Sequence, residues 1–102
     1  MRRYLLTPEA EQDPDVIKVH LLAQGGTRLV RHVLSRLRKA IDFLARMPGV
    51  GHFREDLTDE PVKFWQEFSY MIIYDPRPRP VQILRVLHGS QDIADILSRS
   101  ND

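Results

Sequence analysis

An apolar repeat in the middle of the chain sets the strongest limit on how it folds. Between residues 30 and 44, apolar side chains recur at steps of three and four residues, as they do on one face of an α-helix. The repeat consists of Val30, Val33, Leu34, Leu37, Ile41 and Leu44. The segment Met47-Pro48-Gly49-Val50-Gly51 follows and ends the helix, since proline and glycine disfavour its continuation. The apolar face of this helix needs a second layer to cover it.

Another helix is predicted before this one, with two possible starting points. Thr7 can cap a helix that begins at Pro8, but Asp13-Pro14 is also a helix-start signal. A proline deep inside a helix costs about 3 kcal/mol, so the helix either opens with a short irregular turn or begins at Pro14. Gly25-Gly26 ends this helix, and the two helices are therefore expected to form an antiparallel hairpin.

The remainder of the chain has the pattern of a small sheet. The short apolar run Tyr4-Leu5-Leu6 predicts a first strand before the hairpin. Three more strands are expected over residues 62–68, 70–74 and 81–88, followed by a short helix over residues 92–97. The order β-α-α-β-β-β with a short C-terminal helix predicts an α+β fold. In that fold, the helical hairpin packs on one face of a small, mainly antiparallel sheet.

Length and composition limit the chain to one domain of a cytoplasmic protein. The 102 residues suffice for one core, so residues 1–102 are predicted to be a single domain. The chain has no cysteine, which excludes disulfides and thiolate chemistry. Neither a metal nor a cofactor is expected, because the histidines lack metal-ligand spacing; they are His20, His32, His52 and His88. No apolar run is long enough for a signal peptide or a membrane span.

Positive charge is concentrated on the second predicted helix. The formal net charge of the whole chain is only +1, so bulk charge does not argue for nucleic acid. Within residues 28–46, a single acid, Asp42, stands among several bases. These are Arg28, Arg31, Arg36, Arg38, Lys39 and Arg46. Such a distribution indicates contact with an acidic partner. The alternative is that these residues form an ordinary solvated helix face.

Two polar residues of the last predicted strand are candidates for function. Arg85 lies within the apolar run Ile83–Leu87, where an unpaired charge would be costly to bury. It either forms a salt bridge to an acid on a neighbouring strand or presents a cation on an open sheet face. His88 ends the same strand before Gly89. It is either a general acid or base near neutral pH, or a strand-end residue that bonds its own turn.

Lys63 and Trp65 fall on the same side of their predicted strand. A cation beside a large aromatic ring can hold a nucleotide base or a partner surface. The alternative is that both side chains form the rim of the contact between this strand and the helical hairpin.

The second half of the chain resembles the RelE/ParE toxin family, in particular its ParE-like plasmid-stabilisation members. Several segments carry the resemblance by their order and spacing. They are Pro48-Gly49-Val50-Gly51-His52, Arg54-Glu55-Asp56-Leu57, Val62-Lys63-Phe64-Trp65, Tyr70-Met71-Ile72-Ile73-Tyr74 and Ile83-Leu84-Arg85-Val86-Leu87-His88-Gly89-Ser90-Gln91-Asp92-Ile93. The predicted hairpin lies where the family has one, so the resemblance spans nearly the whole chain.

The resemblance implies the toxin of a type II toxin–antitoxin system. A small antitoxin would neutralise it in a hetero-oligomer, wrapping an extended or helical segment around the hairpin and an exposed sheet edge. RNA-cutting members act on messenger RNA in the ribosome with several basic residues. Where such members often carry arginine, this chain has Met71 and Gln91. ParE-like members lack the full basic set and are associated with inhibition of DNA gyrase.

The resemblance therefore predicts a toxin that acts on DNA gyrase by binding, without catalysis and without a cofactor. The residues expected to contact the target are Trp65, Arg85 and His88. Those expected to contact the antitoxin are Arg31, Arg38 and Lys63. One alternative is a ribosome-dependent messenger-RNA endonuclease whose catalytic residues are Lys63, Arg85 and His88. Another is a non-toxic interaction module with the same fold.

Overall fold

A computed structural model describes residues 3–100, in which helices pack on both faces of a four-stranded sheet. The elements in chain order are β1 (Tyr4–Leu6), α1 (Pro8–Arg46), a 3-10 turn (Pro48–Val50), β2 (Lys63–Glu67), β3 (Tyr70–Asp75), β4 (Val81–His88) and α2 (Ile93–Ser100). The predicted α+β order is confirmed. None of the helices within residues 3–100 combines the length and apolar character needed to cross a membrane.

The helix α1 is a hairpin of two arms that meet at Gly26. A straight helix of its 39 residues would measure about 58 Å, whereas the longest dimension of the molecule is 36 Å. The backbone of Gly26 is non-helical, with φ 71° and ψ −164°, a conformation that a residue with a Cβ rarely adopts. The first arm (residues 8–25) and the second arm (residues 27–46) thus form the hairpin expected from Gly25-Gly26.

The first arm begins at Pro8, one of the two predicted starts, and continues through Pro14 without the irregular first turn that was expected with that start. The Thr7 side chain caps it by accepting a hydrogen bond from the Ala10 amide at 3.1 Å. Pro14 lacks the amide that would bond the carbonyl four residues earlier. Ala10 and Ile17 are buried on either side of Pro14, and this packing holds the arm in helical form despite the proline.

The sheet has the strand order β1-β4-β3-β2, with β1 and β2 at its edges. Only the pairing of β1 with β4 is parallel, so the sheet is mainly antiparallel, as predicted. The strand β4 is central, which agrees with its apolar sequence. In the pairing of β3 with β4, Tyr74 lies opposite Ile83 and Ile73 opposite Arg85. Leu84 is therefore an extra residue in β4, a β-bulge.

Two apolar clusters occupy the two faces of the sheet. The α1 hairpin covers one face, where the buried side chains of its second arm are Ala40 and those of the predicted repeat except Leu34, which is partly buried. They pack with Ala10, Ile17 and Leu21 of the first arm and with Tyr70, Ile72, Tyr74, Ile83 and Val86 of the sheet. The short helix α2 covers the other face with Ile93 and Leu97, against Val62, Phe64, Ile73 and Leu87.

The loop after α1 is held against the sheet by Tyr74. Its buried hydroxyl accepts a hydrogen bond from the Gly51 amide at 2.9 Å and donates one to the Pro48 carbonyl at 2.7 Å. Burial raises the pKa of Tyr74, while the Gly51 amide opposes that rise. A Cβ on Gly51 would overlap the Tyr74 ring, so the close approach requires glycine. The loop thus has one fixed path beside the start of β2.

Candidate functional site

The first arm of α1 completes the edge of β4 where β1 ends. The Thr7 amide donates to the Ile83 carbonyl at 3.1 Å, and the Thr7 hydroxyl donates to the Leu84 carbonyl at 2.7 Å. Further along, the Asp13 carboxylate accepts a hydrogen bond from the Val86 amide at 2.8 Å. At this edge, the backbone groups of β4 therefore bond to Thr7 and to the Asp13 side chain instead of to another strand.

Asp13 also forms a bidentate ion pair with Arg85. The Arg85 Nε and Nη2 atoms donate to the two Asp13 carboxylate oxygens at 3.0 and 2.9 Å. Asp13 is only 5% exposed and is the one buried charged residue among residues 3–100. Its hydrogen bonds raise the pKa of Arg85, which burial alone would lower, so Arg85 stays cationic. The expected salt bridge exists, but its acid comes from a helix and not from a neighbouring strand.

Sequence reasoning assigned no functional or structural partner role to Asp13, because it read Asp13-Pro14 as a helix start. A usable signal was present. Asp13 lies three residues after Ala10 and four before Ile17, and both are on the buried face of the helix. An acid at a core position of a helix needs a buried cation, and Arg85 was the cation in an apolar strand.

His88 lies at the end of β4 beside a cavity of about 300 Å³. Its ring centroid is 5.3 Å from that of Tyr70 and 5.8 Å from that of His20 on the first arm. The His88 Nδ1 accepts a hydrogen bond from the Ser90 amide at 3.1 Å and lies 2.7 Å from the Ser90 hydroxyl. His88 thus bonds its own turn, the simpler of its two expected roles, while its ring borders the cavity.

Tyr70 and Gln91, two neighbours of His88, contribute polar groups to the wall of this cavity. Burial raises the pKa of Tyr70, so its hydroxyl is a neutral hydrogen-bond donor at physiological pH. The Gln91 carboxamide oxygen accepts a hydrogen bond from the His88 amide at 2.8 Å. Gln91 therefore helps to close the strand end. The cavity can receive a small polar group or a side chain, with two imidazoles at its wall.

Trp65 and Lys63 contact the helical hairpin and the loop after it. The Trp65 ring centroid lies 5.6 Å from that of Phe43 on the second arm. The Lys63 ammonium donates to the Gly49 carbonyl at 3.1 Å and lies 4.8 Å from the centre of the Phe53 ring. Trp65 therefore forms the rim contact with the hairpin that was the alternative to a role in binding, whereas Lys63 contacts the loop after the hairpin; both remain partly exposed.

The structure does not bring Lys63 and His88 together. Lys63 lies opposite Tyr74 and His88 opposite Tyr70, four residues apart on β3, while β2 and β4 flank β3 on opposite sides. Strand rise and spacing then put the Cα atoms of Lys63 and His88 about 16 Å apart. Met71, where RNA-cutting relatives often have arginine, packs into the apolar cluster under α2. Within residues 3–100, no three metal-ligating side chains cluster.

The basic residues of the second arm divide between two flanks of its buried face. Arg31 and Arg38, seven residues apart, lie on the flank toward the first arm and β1. Arg38 lines a groove of about 190 Å³ between the two arms and β1. The other basic residues begin with Arg36 on the opposite flank, toward β2, and continue over the outer face of the arm with His32, Lys39 and Arg28. Lys63 is on β2, so the structure does not place it with Arg31 and Arg38.

Comparison with known proteins identifies the family. A family model described as the ParE toxin of the type II toxin–antitoxin system, parDE, matches residues 4–93. A solved structure described as the chromosomal ParDE TA system from P. aeruginosa shares the fold, with a TM-score of 0.69 at 18% sequence identity. That likeness covers 83% of this chain and 92% of the other. Comparison with curated protein sequences gives no significant match. Because the family model spans most of its length, the chain belongs to the ParE toxin family of type II toxin–antitoxin systems.

Proposed function

We propose that this toxin acts by binding, that its target is DNA gyrase, and that its antitoxin neutralises it in the cytoplasm. One observation carries the proposal: the basic groups that RNA cleavage would need are dispersed or neutralised. Arg85 is paired with Asp13, and Lys63 is far from His88. Phosphodiester cleavage requires charge stabilisation and proton transfer at one place. The geometry therefore supports binding over catalysis.

The proposal is tested by comparing two activities of the same purified protein. We expect it to inhibit gyrase supercoiling or to trap cleaved DNA, and to leave messenger RNA intact in the A site of programmed ribosomes. In cells, induced expression should arrest growth, and co-expression of the small gene encoded beside it should restore growth. Soluble expression without arrest would favour the non-toxic interaction module. Cleavage in the A site that is lost in His88→Ala would instead establish the endonuclease.

The groove between the two arms and β1 is the proposed antitoxin site. Its walls are apolar, with Arg38 as the cation at its border; the other lining residues are Tyr4, Leu6, Ala10, Pro14, Ile17, Leu34, Leu37, Ile41 and Val86. β1 is an edge strand, so an extended segment has free backbone groups to pair with. On the outside of the first arm, Val16, Val19 and Leu22 are exposed. An antitoxin segment with apolar and acidic residues fits these features.

Charge reversal at Arg38 is expected to weaken antitoxin binding by about tenfold, because it places an acid opposite an acidic partner. Titration calorimetry with the purified antitoxin measures the change in Kd. Lys39→Glu is the matched control, since it makes the same change of charge one residue away, about 100° further around the helix and away from the groove. Equal affinities of the Arg38→Glu and Lys39→Glu proteins for the antitoxin would place the antitoxin elsewhere.

A further inference from the structure

The turn between β2 and β3 contains a residue that is unfavourable there for folding. Phe68 has φ 56°, and no other non-glycine residue between positions 3 and 100 has a positive φ. The left-handed conformation costs an L-residue about 1–2 kcal/mol, and two-residue hairpin turns usually use asparagine or glycine. Phe68 is also 45% exposed, so its burial recovers only part of this cost. Strained residues of this kind are concentrated at functional sites.

The Phe68 ring nevertheless has a defined position. The Arg36 guanidinium lies 4.8 Å from its centre, and the His32 ring lies 5.8 Å away on the same side of the second arm. The Gln66 side chain donates to the Phe68 carbonyl at 3.1 Å. The Gly89 amide donates to the Ser69 carbonyl at 2.7 Å, which ties the turn to the end of β4. The turn is therefore held by the helix on one side and by β4 on the other.

The Phe68 ring lies at one end of a basic surface on the second arm. The basic flank of the second arm begins at Arg36 and His32 beside the Phe68 ring and continues onto the outer face of the arm with Arg28 and Lys39. Glu67 forms an ion pair with Arg36 at 3.0 Å, and its other oxygen lies 3.5 Å from the Trp65 indole nitrogen. An exposed aromatic ring with arginine beside it is the composition of an interface hot spot.

We propose that the Phe68 turn and this basic flank dock an acidic protein segment of the toxin's target, which places an apolar side chain against Phe68. The inference rests on the proposed function, a toxin that acts by binding. The chain neighbours of Phe68 link the turn to two residues predicted to contact the target: Glu67 contacts Trp65, and Ser69 bonds to Gly89, the residue after His88. Arg38 and β1 lie on the other flank of the second arm and at the other sheet edge, so the antitoxin groove is a separate surface.

A protein segment fits this surface better than a nucleic acid. The Glu67 carboxylate lies between Arg36 and Trp65 and would repel the regularly spaced phosphates of a nucleic acid strand, whereas a peptide can place an apolar residue beside Glu67 and its acids elsewhere. Single-stranded nucleic acids are usually held by several aromatic rings along a basic groove, whereas this turn presents one exposed ring. A short acidic segment can satisfy the outer cations of the flank and still place one apolar residue on Phe68.

Substitution of Phe68 with asparagine separates docking from folding. Asparagine tolerates the left-handed conformation, so Phe68→Asn should melt at the wild-type temperature or above it. The protein concentration for half-inhibition of gyrase supercoiling should rise at least about tenfold, as for loss of an interface anchor. The inducer level for half-maximal growth arrest should rise with it. Phe53→Asn is the matched control, because Phe53 is 58% exposed and also has a cation, Lys63, at 4.8 Å from its ring.

The outcomes distinguish this inference from the function on which it rests. A folded Phe68→Asn protein with wild-type toxicity and wild-type gyrase inhibition removes the inference alone. If Phe68→Asn loses antitoxin binding and keeps its toxicity, the surface belongs to the antitoxin and the assignment is wrong. Binding of labelled single-stranded DNA that is lost in Phe68→Asn would replace the protein partner with a nucleic acid. A wild-type chain that neither arrests growth nor inhibits gyrase removes the proposed function, and the inference falls with it.

Discussion

Replacement of Asp13 with alanine is expected to lower the free energy of unfolding by about 3 kcal/mol. Removal of one partner from a buried ion pair typically costs roughly 3–5 kcal/mol, because the other charge stays behind unpaired. The Arg85 side chain is 21% exposed and can turn partly toward water, which favours the lower end of that range. The Val86 amide would also lose its acceptor at the β4 edge, where no strand can replace it.

Urea denaturation of the wild type and the Asp13→Ala variant measures this loss. Asp15→Ala is the control, since Asp15 is exposed on the same arm and surface substitutions usually change stability by less than about 0.5 kcal/mol. Asp13→Asn keeps an acceptor for the Val86 amide and should lose less than Asp13→Ala. A loss below about 1 kcal/mol in Asp13→Ala would contradict the view that this ion pair fastens the first arm to β4.

Truncation of Leu37 to alanine should cost about 2–5 kcal/mol, the range for a buried leucine that leaves a cavity behind. Leu37 is 4% exposed, in the middle of the repeat on the second arm. It packs in the cluster that joins both arms of α1 to the sheet, so few neighbours are free to move into the space. The cost is therefore expected in the upper half of the range.

Chemical denaturation of Leu37→Ala alongside Leu22→Ala tests this expectation. Leu22 undergoes the same chemical change, but it is 44% exposed on the outside of the first arm. Its substitution should cost less than about 1 kcal/mol because little apolar surface is returned to water. Equal losses for the two variants would mean that the repeat does not form the core. A Leu22→Ala protein with weakened antitoxin binding and unchanged stability would further support a partner on the outer face.

The Asp13–Arg85 ion pair also bears on the mechanism of the toxin. Arg85 was predicted both to contact the target and, in the endonuclease alternative, to be catalytic. A guanidinium held by two hydrogen bonds to a buried carboxylate is less available for a phosphate or a partner than a free one. Loss of toxicity in Arg85→Ala would therefore need a stability measurement beside it. His88 and Trp65 are the better tests of target contact, because their side chains take part in no ion pair among the described residues.

Much of the fold could be predicted because its signals are local. The three- and four-residue repeat defined the second arm. A strand period of two residues, with breaks at glycine and proline, located the strands along the chain. Gly25-Gly26 located the reversal of the hairpin, since only glycine readily adopts the backbone angles found at Gly26. The order and spacing of the same segments also sufficed for the family resemblance, which the family match over residues 4–93 confirms.

The tertiary structure alone decided which distant residues meet. Asp13 pairs with Arg85 across 72 positions of sequence, and local propensity contains no information on such a contact. The same packing keeps Pro14 helical and places Lys63 far from both Arg38 and His88. It also puts the Phe68 ring under Arg36 in a backbone conformation that its residue type disfavours. Strand order, register and a one-residue bulge determine these distances, and each depends on burial summed over the whole core.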